Sequence, residues 1–486
     1  MCIQWKWTKA NFRAETQSSR GFVFATLKTS YTPVAQTAAL IIVACVVCFL
    51  YLGRGALYYD EAIYAQVAKE IVRSHEWLTL HWNGQFWFHK PPLYFWATAC
   101  VFKLFGASEL AARFVSASAG VFCVIFTYLI AKRLEDDRAG FVAGLVLLSS
   151  SLFVFYSRRG MTDVTMTAFS LLAVYAYLRS NKEPRMWLGV AAGCAFAILT
   201  KGAAGFIGPL AIGAAMLFDR RFREIARRRE FWLALLCLLL LVAVWHLVLF
   251  FIHGKAFLRT YLVRHVLQRS VSDLHKYNSG HLFYLDVLWH FMWPWVLLTP
   301  FAVIHEMRQR RSRVILGLVL VTFVPFTLAT TKFQWYIVPA LPGLSIQIGC
   351  LISAYLEKTR GNVRLLGWAA VVLLFAIGLG DVITYCRPDQ RRDQVANLAR
   401  RASRDGGAIT SCPESLEMAV LYYSNRKLCS DPTLSPLSFG EETKCVDGEI
   451  RSIIFSKESR PRVESRFEFR ILDETENFAY AEILGN

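Results

Sequence analysis

Charged residues are scarce in this sequence. Asp, Glu, Lys and Arg account for 19% of the 486 residues, and hydrophobic residues account for 55%. Soluble domains carry about 25% charged residues, so the composition excludes an ordinary soluble protein. Internal repeats, low-complexity tracts and long linkers are also missing from the sequence. Repeat symmetry, a common feature of transporters, is therefore not indicated.

Long apolar stretches are what the sequence has instead. A helix needs about 20 apolar residues to cross a hydrocarbon core of about 30 Å. The stretches predict an α-helical polytopic membrane protein with about 11 transmembrane helices plus interfacial helices. Residues 91–106 are short and begin with two prolines, so we expect an interfacial or re-entrant helix there. The predicted spans are 33–53, 111–131, 139–157, 164–179, 186–201, 203–218, 231–252, 284–304, 314–331, 334–356 and 365–385.

The charges predict an orientation. Basic residues concentrate in alternate loops and in the N-terminal tail, which the positive-inside rule assigns to the cytoplasm. Residues 386–486 contain 15 Lys and Arg against 17 Asp and Glu, so the net charge of +18 belongs to the membrane part. A nucleic-acid partner is therefore not expected. No A-x-A-like cleavage site follows the first span, which predicts a signal anchor.

Three regions follow from this topology. We expect residues 1–32 to form a cytoplasmic tail, 33–385 a transmembrane domain, and 386–486 a small α/β domain on the outer face. In that last region the pattern predicts one amphipathic helix and three strands. The helix is expected at 393–402, and the strands at 407–410, 450–455 and 467–472.

Four cysteines lie beyond the last span. Cysteines on the outer face can form disulfides, and four of them allow three connectivities. No C-x-x-C spacing among them indicates a metal site. The pairing of Cys386, Cys412, Cys429 and Cys445 therefore stays open.

Ionisable residues gather at the outer ends of the predicted spans. Asp60 and Glu61 precede an amphipathic helix, 61–74, which is expected to lie on the membrane, and Asp60 is equally well explained as its N-cap. Isolated lysines at span ends usually extend to the interface. A cluster of lysines beside carboxylates instead suits the departure of a phosphate group and the activation of a hydroxyl. The other members of this cluster are Lys90, Arg159, Asp163, Lys201 and Lys332.

Histidines are frequent between residues 253 and 290. A divalent metal site is one explanation, and hydrogen bonding in an aromatic-rich interfacial loop is the other. No H-x-x-x-H spacing decides between them.

Several motifs in order resemble the membrane GT-C glycosyltransferases, in the branch of the lipid A aminoarabinose transferases and the relatives of the protein O-mannosyltransferases. The resemblance extends to about residue 345, and the C-terminal region matches only loosely. Its motifs are Tyr59 to Ala65, Asn83-Gly84, His89 to Trp96, Leu104 to Gly106, Ala111 to Arg113, Leu199 to Gly202, and Lys332 with Tyr336 to Pro339.

The resemblance implies a polyprenyl-phosphate-linked sugar as donor and an inverting attack by an acceptor on the outer face of a bacterial inner membrane. The acceptor would be a lipid, glycan or protein. Asp60 would be the base or would orient the acceptor, with Glu61 beside it and Asp163 as a secondary polar group. The donor phosphate would be held by Lys90, with help from Arg269, Lys201 and Lys332.

Two positions depart from the family pattern. Ile63 stands where relatives often have a phosphate-binding arginine, and Arg159 is expected to substitute for it. His89 stands where aminoarabinose transferases have a glutamate. A pair of His89 and His265 would offer two ligands to zinc, too few to define a site. The sugar and the acceptor are therefore left open.

Two other classes of protein compete with a transferase. A transporter or lipid flippase would share the apolar spans and basic inner loops, but it predicts charges near the middle of the bilayer. A structural membrane subunit predicts that Asp60→Asn affects assembly alone.

Overall fold

The computed structural model describes residues 34–57, 59–261, 280, 282–309, 313–429 and 450–485. Helices make up most of this part of the chain. They are α1 Val34–Phe49, α2 Asp60–Ser74, α3 Leu93–Phe105, α4 Glu109–Leu134, α5 Asp137–Leu148, α6 Ser151–Ser157, α7 Thr162–Ser180, α8 Met186–Lys201, α9 Ile207–Phe218, α10 Phe222–Ala226, α11 Arg229–His253, α12 Lys255–Leu258, α13 Phe283–Phe291, α14 Thr299–Gln309, α15 Val314–Leu328, α16 Ala340–Lys358, α17 Gly361–Tyr385, α18 Gln390–Ala402, α19 Glu417–Ser424 and α20 Arg460–Glu464.

The membrane-spanning character of the chain is clear from these helices. Within the described ranges, five helical segments are long and apolar enough to cross a membrane, or seven if two bent pairs each count as one span. The sequence-based number of about 11 is larger because it also counts shorter helices. It treats α8 and α9 as two spans, whereas the stretch Met186–Phe218 is counted here once. The bent pairs are α5 with α6, at 73°, and α13 with the segment Trp295–Gln309, at 120°.

Small residues let the long helices approach closely. A Cβ added at Gly193 of α8 would lie 2.7 Å from the Ala173 nitrogen of α7, and one at Gly349 of α16 would lie 2.5 Å from the Ala139 oxygen of α5. Helices in a membrane associate through such close backbone contacts, because lipid is as apolar as the side chains that it touches.

Helix α2 differs from the surface helix that its sequence pattern suggests. Its buried residues include Glu61, Tyr64 and Gln66, and it packs against both α3 and α19. Asp60 is the first helical residue and not the N-cap. The N-cap is Tyr59, which has φ 48° and makes no side-chain capping bond. Asp60 therefore has its carboxylate available for other contacts.

The C-terminal region contains a four-stranded sheet in the order β3-β4-β6-β5. The pair β3/β4 is parallel, and the pairs β4/β6 and β6/β5 are antiparallel. The predicted helix and three strands are confirmed as α18, β3, β4 and β5, whereas β6 was not predicted.

A short hairpin, β1 with β2, lies between α2 and α3. The strands are β1 His81–Trp82, β2 Gln85–Phe86, β3 Ala408–Cys412, β4 Ile450–Ser456, β5 Glu468–Glu474 and β6 Phe478–Gly485.

The four cysteines beyond α17 separate into two groups. Cys386 and Cys412 are free thiols, so neither takes part in the disulfides that the sequence allowed. Cys429 is disulfide-bonded, and Cys445 lies outside the described residues.

The C-terminal region is attached directly to the loops that surround α2. Lys69 of α2 donates to the Tyr422 carbonyl at 2.7 Å. Asn83 of the hairpin exchanges two hydrogen bonds with the backbone of Leu428, at 2.9 and 3.0 Å. The backbone N–H of Leu57 donates to the Tyr423 hydroxyl at 2.8 Å. These contacts hold the loop after α1 and the start of α2 in place.

Candidate active site

One tyrosine joins the carboxylate and the lysine that the sequence singled out. The Tyr64 hydroxyl donates to Asp60 Oδ2 at 3.3 Å and accepts a hydrogen bond from Lys90 Nζ. Tyr64 lies one helical turn after Asp60, so both side chains share one face of α2. Lys90 also lies over the Tyr64 ring, 4.5 Å from its centroid. The arrangement holds a carboxylate and an ammonium group on either side of one hydroxyl.

The Tyr64 ring is held rigidly by other aromatic rings. It is 3% exposed, and its centroid lies 6.4 Å from Trp87, 6.2 Å from Tyr94 and 5.6 Å from Phe95, all in edge-on geometry. Such pairs add about 0.5–1.5 kcal/mol each beyond burial. The position of the hydroxyl is therefore fixed by packing.

Glu61, the next residue of α2, makes a separate network with different partners. Its oxygens accept from Arg113 Nε at 2.7 Å, Arg113 Nη2 at 3.1 Å, Arg159 Nη1 at 3.2 Å and the Gly160 N–H at 2.8 Å. Glu61 is 2% exposed. Burial alone raises the pKa of this carboxyl group, but the charges of Arg113 and Arg159 outweigh burial and lower the pKa to about 2. Glu61 is thus ionised and fully engaged.

Asp163 and Lys201 form a second carboxylate and lysine pair. Asp163, in the first turn of α7, is 1% exposed and bonds to Lys201 at the end of α8, which is 11% exposed. The other carboxylate oxygen, Asp163 Oδ2, is buried and has no hydrogen-bond partner among the described residues. A buried polar atom without a partner is costly and is a feature of binding sites. Lys201 also lies 5.7 Å from the centre of the Tyr336 ring.

Tyr156 of α6 is within electrostatic range of a carboxylate from each pair. Tyr385, Asp163, Asp60 and Arg159 all act on its hydroxyl. The sequence places Asp60 and Asp163 about 100 positions apart, and the helix packing brings them together.

Of the remaining predicted site residues, two lie in the described part of the chain and two lie outside it. Lys332 is 8% exposed and precedes the short helical turn Gln334–Ile337. The His89 ring lies 4.9 Å from the Trp87 ring. Arg269 and His265 lie outside the described residues. In the part of the chain that is described, no group of three His, Cys, Asp or Glu side chains is placed to hold a metal ion, and the pairing of His89 with His265 stays a prediction.

Three residues of this region were not assigned roles from sequence. Arg113 and Tyr64 stand in motifs that carry the family resemblance, so their conspicuous positions could have drawn attention to them. Tyr156 precedes Arg158-Arg159 in an apolar stretch and has no signal of its own.

Comparison with known proteins finds similar sequences among membrane glycosyltransferases. The sequence model of the dolichyl-phosphate-mannose-protein mannosyltransferase family matches residues 89–248. A 4-amino-4-deoxy-L-arabinose arabinosyl transferase of Pseudomonas fluorescens, which is named for an undecaprenyl-phosphate-linked donor, is 27% identical over 380 residues. The match covers 73% of this chain and 64% of that enzyme. An uncharacterized protein of Aquifex aeolicus is 29% identical, covering 69% of this chain and 68% of its own length.

A solved structure shows the same fold. ArnT from Cupriavidus metallidurans, crystallised with undecaprenyl phosphate, superimposes with a TM-score of 0.76 at 18% identity, covering 92% of this chain and 97% of its own. The chain has the GT-C fold and is similar to the aminoarabinose transferases and the protein O-mannosyltransferase-like proteins. At this identity the structural likeness to ArnT is a likeness of fold.

A more distant neighbour has the same fold. The archaeal oligosaccharyltransferase AglB from Archaeoglobus fulgidus aligns with this GT-C protein at a TM-score of 0.59 and 12% identity, covering 93% of this chain and 74% of AglB. The alignment with the Pseudomonas fluorescens transferase spans less than two thirds of that enzyme.

Proposed function

We propose that this protein transfers a sugar from a polyprenyl-phosphate donor to an acceptor at the outer face of a bacterial inner membrane. The observation that carries the proposal is the Asp60, Tyr64 and Lys90 chain. Asp163, which is buried and pairs with Lys201, acts on Tyr156 as Asp60 does. The similarity to arabinosyl transferases supports a lipid-linked donor. The charge distribution supports a cytoplasmic N-terminus.

The proposed reaction breaks one bond and forms another at the anomeric carbon of the sugar. An acceptor oxygen attacks this carbon from the face opposite the phosphate, with inversion. The carbon–oxygen bond to the phosphate breaks and polyprenyl phosphate leaves with the bonding electrons. Asp60 receives the proton of an acceptor hydroxyl, or orients an acceptor that is already ionised.

Positive groups stabilise the leaving phosphate in this scheme. Lys90 contacts the phosphate, because an ammonium group held near the place where negative charge develops lowers the barrier. Tyr64 positions Lys90 and Asp60. Lys201, Lys332 and Arg269 add positive charge around the donor.

Glu61 and Asp163 have different proposed roles. Glu61 already accepts four hydrogen bonds, which favours a positioning role at the start of α2 over direct participation. Arg159 supports the same carboxylate. Asp163 keeps one oxygen without a partner among the described residues, and this oxygen is suited to accept from a hydroxyl of the sugar or the acceptor.

The decisive experiment measures release of free polyprenyl phosphate. Purified wild type, Asp60→Asn and Lys90→Met are incubated with polyprenyl-phosphate sugars in a native membrane extract that contains acceptor lipids. Wild type is expected to release polyprenyl phosphate, and each variant to lose at least about 100-fold in rate. The sugar that disappears identifies the donor.

Asp473→Asn is a matched control, since Asp473 lies on β5 in a surface pair with Arg401. This variant should keep the wild-type rate. Equal release by wild type and Asp60→Asn, at matched folding, would contradict the role of Asp60. No release by wild type on any donor would contradict glycosyl transfer itself.

A further inference from the structure

The hairpin of β1 and β2 leads directly into the candidate active site. Its last strand residue, Phe86, is four positions before Lys90, and α3 begins three residues after Lys90. The Trp87 N–H donates to the Leu80 carbonyl at 2.8 Å, which extends the hairpin by one hydrogen bond. Pro91 follows Lys90 and favours an extended backbone at this lysine. The position of Lys90 therefore depends on the position of the hairpin.

The turn of this hairpin depends on outside support. Its loop residues, Asn83 and Gly84, have φ 55° and 74°, the left-handed backbone of the tight two-residue turn that an Asn-Gly sequence favours. Each strand is two residues long, and so short a hairpin is marginally stable at best by itself in water. Glu70 of α2 accepts from the backbone N–H groups of both loop residues, at 2.8 and 3.1 Å. Helix α2 thus fixes the backbone of the turn.

The C-terminal region holds the same turn through a side chain. The amide group of Asn83 donates to the Leu428 carbonyl and accepts from the Leu428 N–H, so it pairs with Leu428 as a neighbouring strand would. Leu428 forms a parallel bridge with Ile409 of β3. The N–H of the next residue, Cys429, donates to the Ile409 carbonyl at 2.9 Å, and Cys429 is disulfide-bonded. A continuous series of hydrogen bonds therefore joins the C-terminal sheet to the turn.

We infer that Asn83 and Glu70 are positioning residues for Lys90, and that the C-terminal region acts on sugar transfer through Asn83. The inference rests on the proposed function, because it requires that Lys90 contacts the donor phosphate. An ammonium group stabilises a leaving phosphate when it is held where the negative charge develops, and a misplacement of about 1 Å can reduce a rate about 100-fold. Asn83 lies seven positions before Lys90 and acts through the hairpin, not on the substrate.

A purely structural role for Asn83 makes a different prediction. The C-terminal region is also attached to α2 by Arg73, which donates to the Asn425 side chain at 2.7 Å. If Asn83 served attachment alone, loss of the Arg73 contact would affect phosphate binding as much as loss of the Asn83 contact. If Asn83 positions Lys90, loss of the Arg73 contact leaves phosphate binding unchanged.

Asn83→Gly removes the side chain and keeps the turn. Glycine adopts the left-handed backbone without strain, and a Gly-Gly sequence suits the same two-residue turn. Binding of undecaprenyl phosphate to the purified full chain is measured by native mass spectrometry for wild type, Asn83→Gly, Lys90→Met and Asn83→Gly/Lys90→Met. We expect Asn83→Gly to raise the Kd about three- to tenfold, and to have no further effect when Lys90 is already replaced. Arg73→Ala is the matched control and should bind like wild type.

Glu70→Gln tests the inference from the side of α2. The substitution replaces one acceptor oxygen by an amide nitrogen that cannot accept from a backbone N–H. We expect the same rise in Kd as for Asn83→Gly, again abolished by Lys90→Met. Hydrogen exchange of residues 80–90 should be faster in both variants than in wild type, because the turn has lost a contact that holds it closed.

The double variant distinguishes positioning from attachment. Equal Kd values for Asn83→Gly/Lys90→Met and Lys90→Met support the inference, because two groups that act on one contact are not additive. Additive effects, a wild-type Kd in Asn83→Gly, or an equal rise in Arg73→Ala overturn the inference and leave the donor-phosphate role of Lys90 intact. An unchanged Kd in Lys90→Met contradicts that role in the proposed function, and the inference is then overturned with it.

Discussion

The Tyr64 hydroxyl donates to Asp60 Oδ2 at 3.3 Å while accepting from Lys90. Since a tyrosine hydroxyl has one proton, its donation to the carboxylate and its acceptance from the ammonium group fix the direction of both hydrogen bonds. The pair is therefore held in a defined geometry before any substrate arrives. Preorganised charges of this kind cost no reorganisation during the reaction.

Tyr64→Phe removes that bridge and leaves the ring packing intact. We expect kcat to fall about 10- to 100-fold with a smaller change in KM, because Lys90 and Asp60 lose their common partner. Polyprenyl phosphate release at varied donor concentration measures both constants. Tyr128→Phe is the control: Tyr128 also has a bonded hydroxyl, and 15 residues of α4 place it about 22 Å from Arg113. Equal losses in the two variants would contradict a specific role for Tyr64.

Substitutions of Asp163 and Lys201 are expected to have non-additive effects on the stability of the protein. Lys201→Met leaves an uncompensated buried carboxylate, and we expect the stability to fall by about 3–5 kcal/mol. Asp163→Asn/Lys201→Met should recover much of this stability and none of the activity. Thermal unfolding in detergent and polyprenyl phosphate release measure the two effects. A double variant as unstable as Lys201→Met would contradict the pairing as the source of stability.

Because the pKa of Glu61 is lowered in the folded protein, we expect the stability of the fold to depend on pH. Because the folded-state pKa is about 2, below the ordinary value of 4.5, the ionised group stabilises the fold above pH 4.5. That contribution, on the order of 3 kcal/mol, is lost as the pH falls from 4.5 through 2. The melting temperature of wild type should decrease across this range.

The variant Glu61→Gln tests this assignment. It should be less stable at neutral pH, since Arg113 keeps its charge in a buried place, and its melting temperature should change less between pH 4.5 and 2. Glu476→Gln, at an exposed position, should follow the wild-type curve. Parallel curves for wild type and Glu61→Gln would exclude Glu61 as the titrating group.

The hydrogen bonds of Arg426 are expected to stabilise the fold of the C-terminal region. It is 8% exposed and donates to the carbonyls of Gly406 and Gly407 at 2.7 and 2.9 Å and to the Tyr480 hydroxyl at 3.2 Å. Arg426→Met leaves these acceptors unsatisfied, at about 1–3 kcal/mol each. Limited proteolysis of the full chain should show faster cleavage within residues 386–486. The exposed Arg404→Met should be cleaved like wild type, and equal rates for both variants would contradict the anchoring role.

The sequence by itself determined the class of the protein and its resemblance to the GT-C glycosyltransferases, and it supplied the candidate site residues. Long apolar stretches indicated a membrane protein, and local motifs such as 59–65 and 89–96 located Asp60 and Lys90. The helix α18 and strands β3 to β5 were predictable because their hydrophobic patterns are local.

Only the tertiary structure decided which groups meet. Local pattern made Asp60 an N-cap as readily as a base, yet the start of α2 at Asp60 and the position of Tyr64 give its carboxylate another partner. Glu61 has the same local signal as Asp60, but it faces Arg113, 52 residues away. A cavity lined by Arg54, Arg158 and Arg387 joins three distant parts of the chain. Such contacts depend on how helices pack against each other, and the order of residues along one helix does not contain that information.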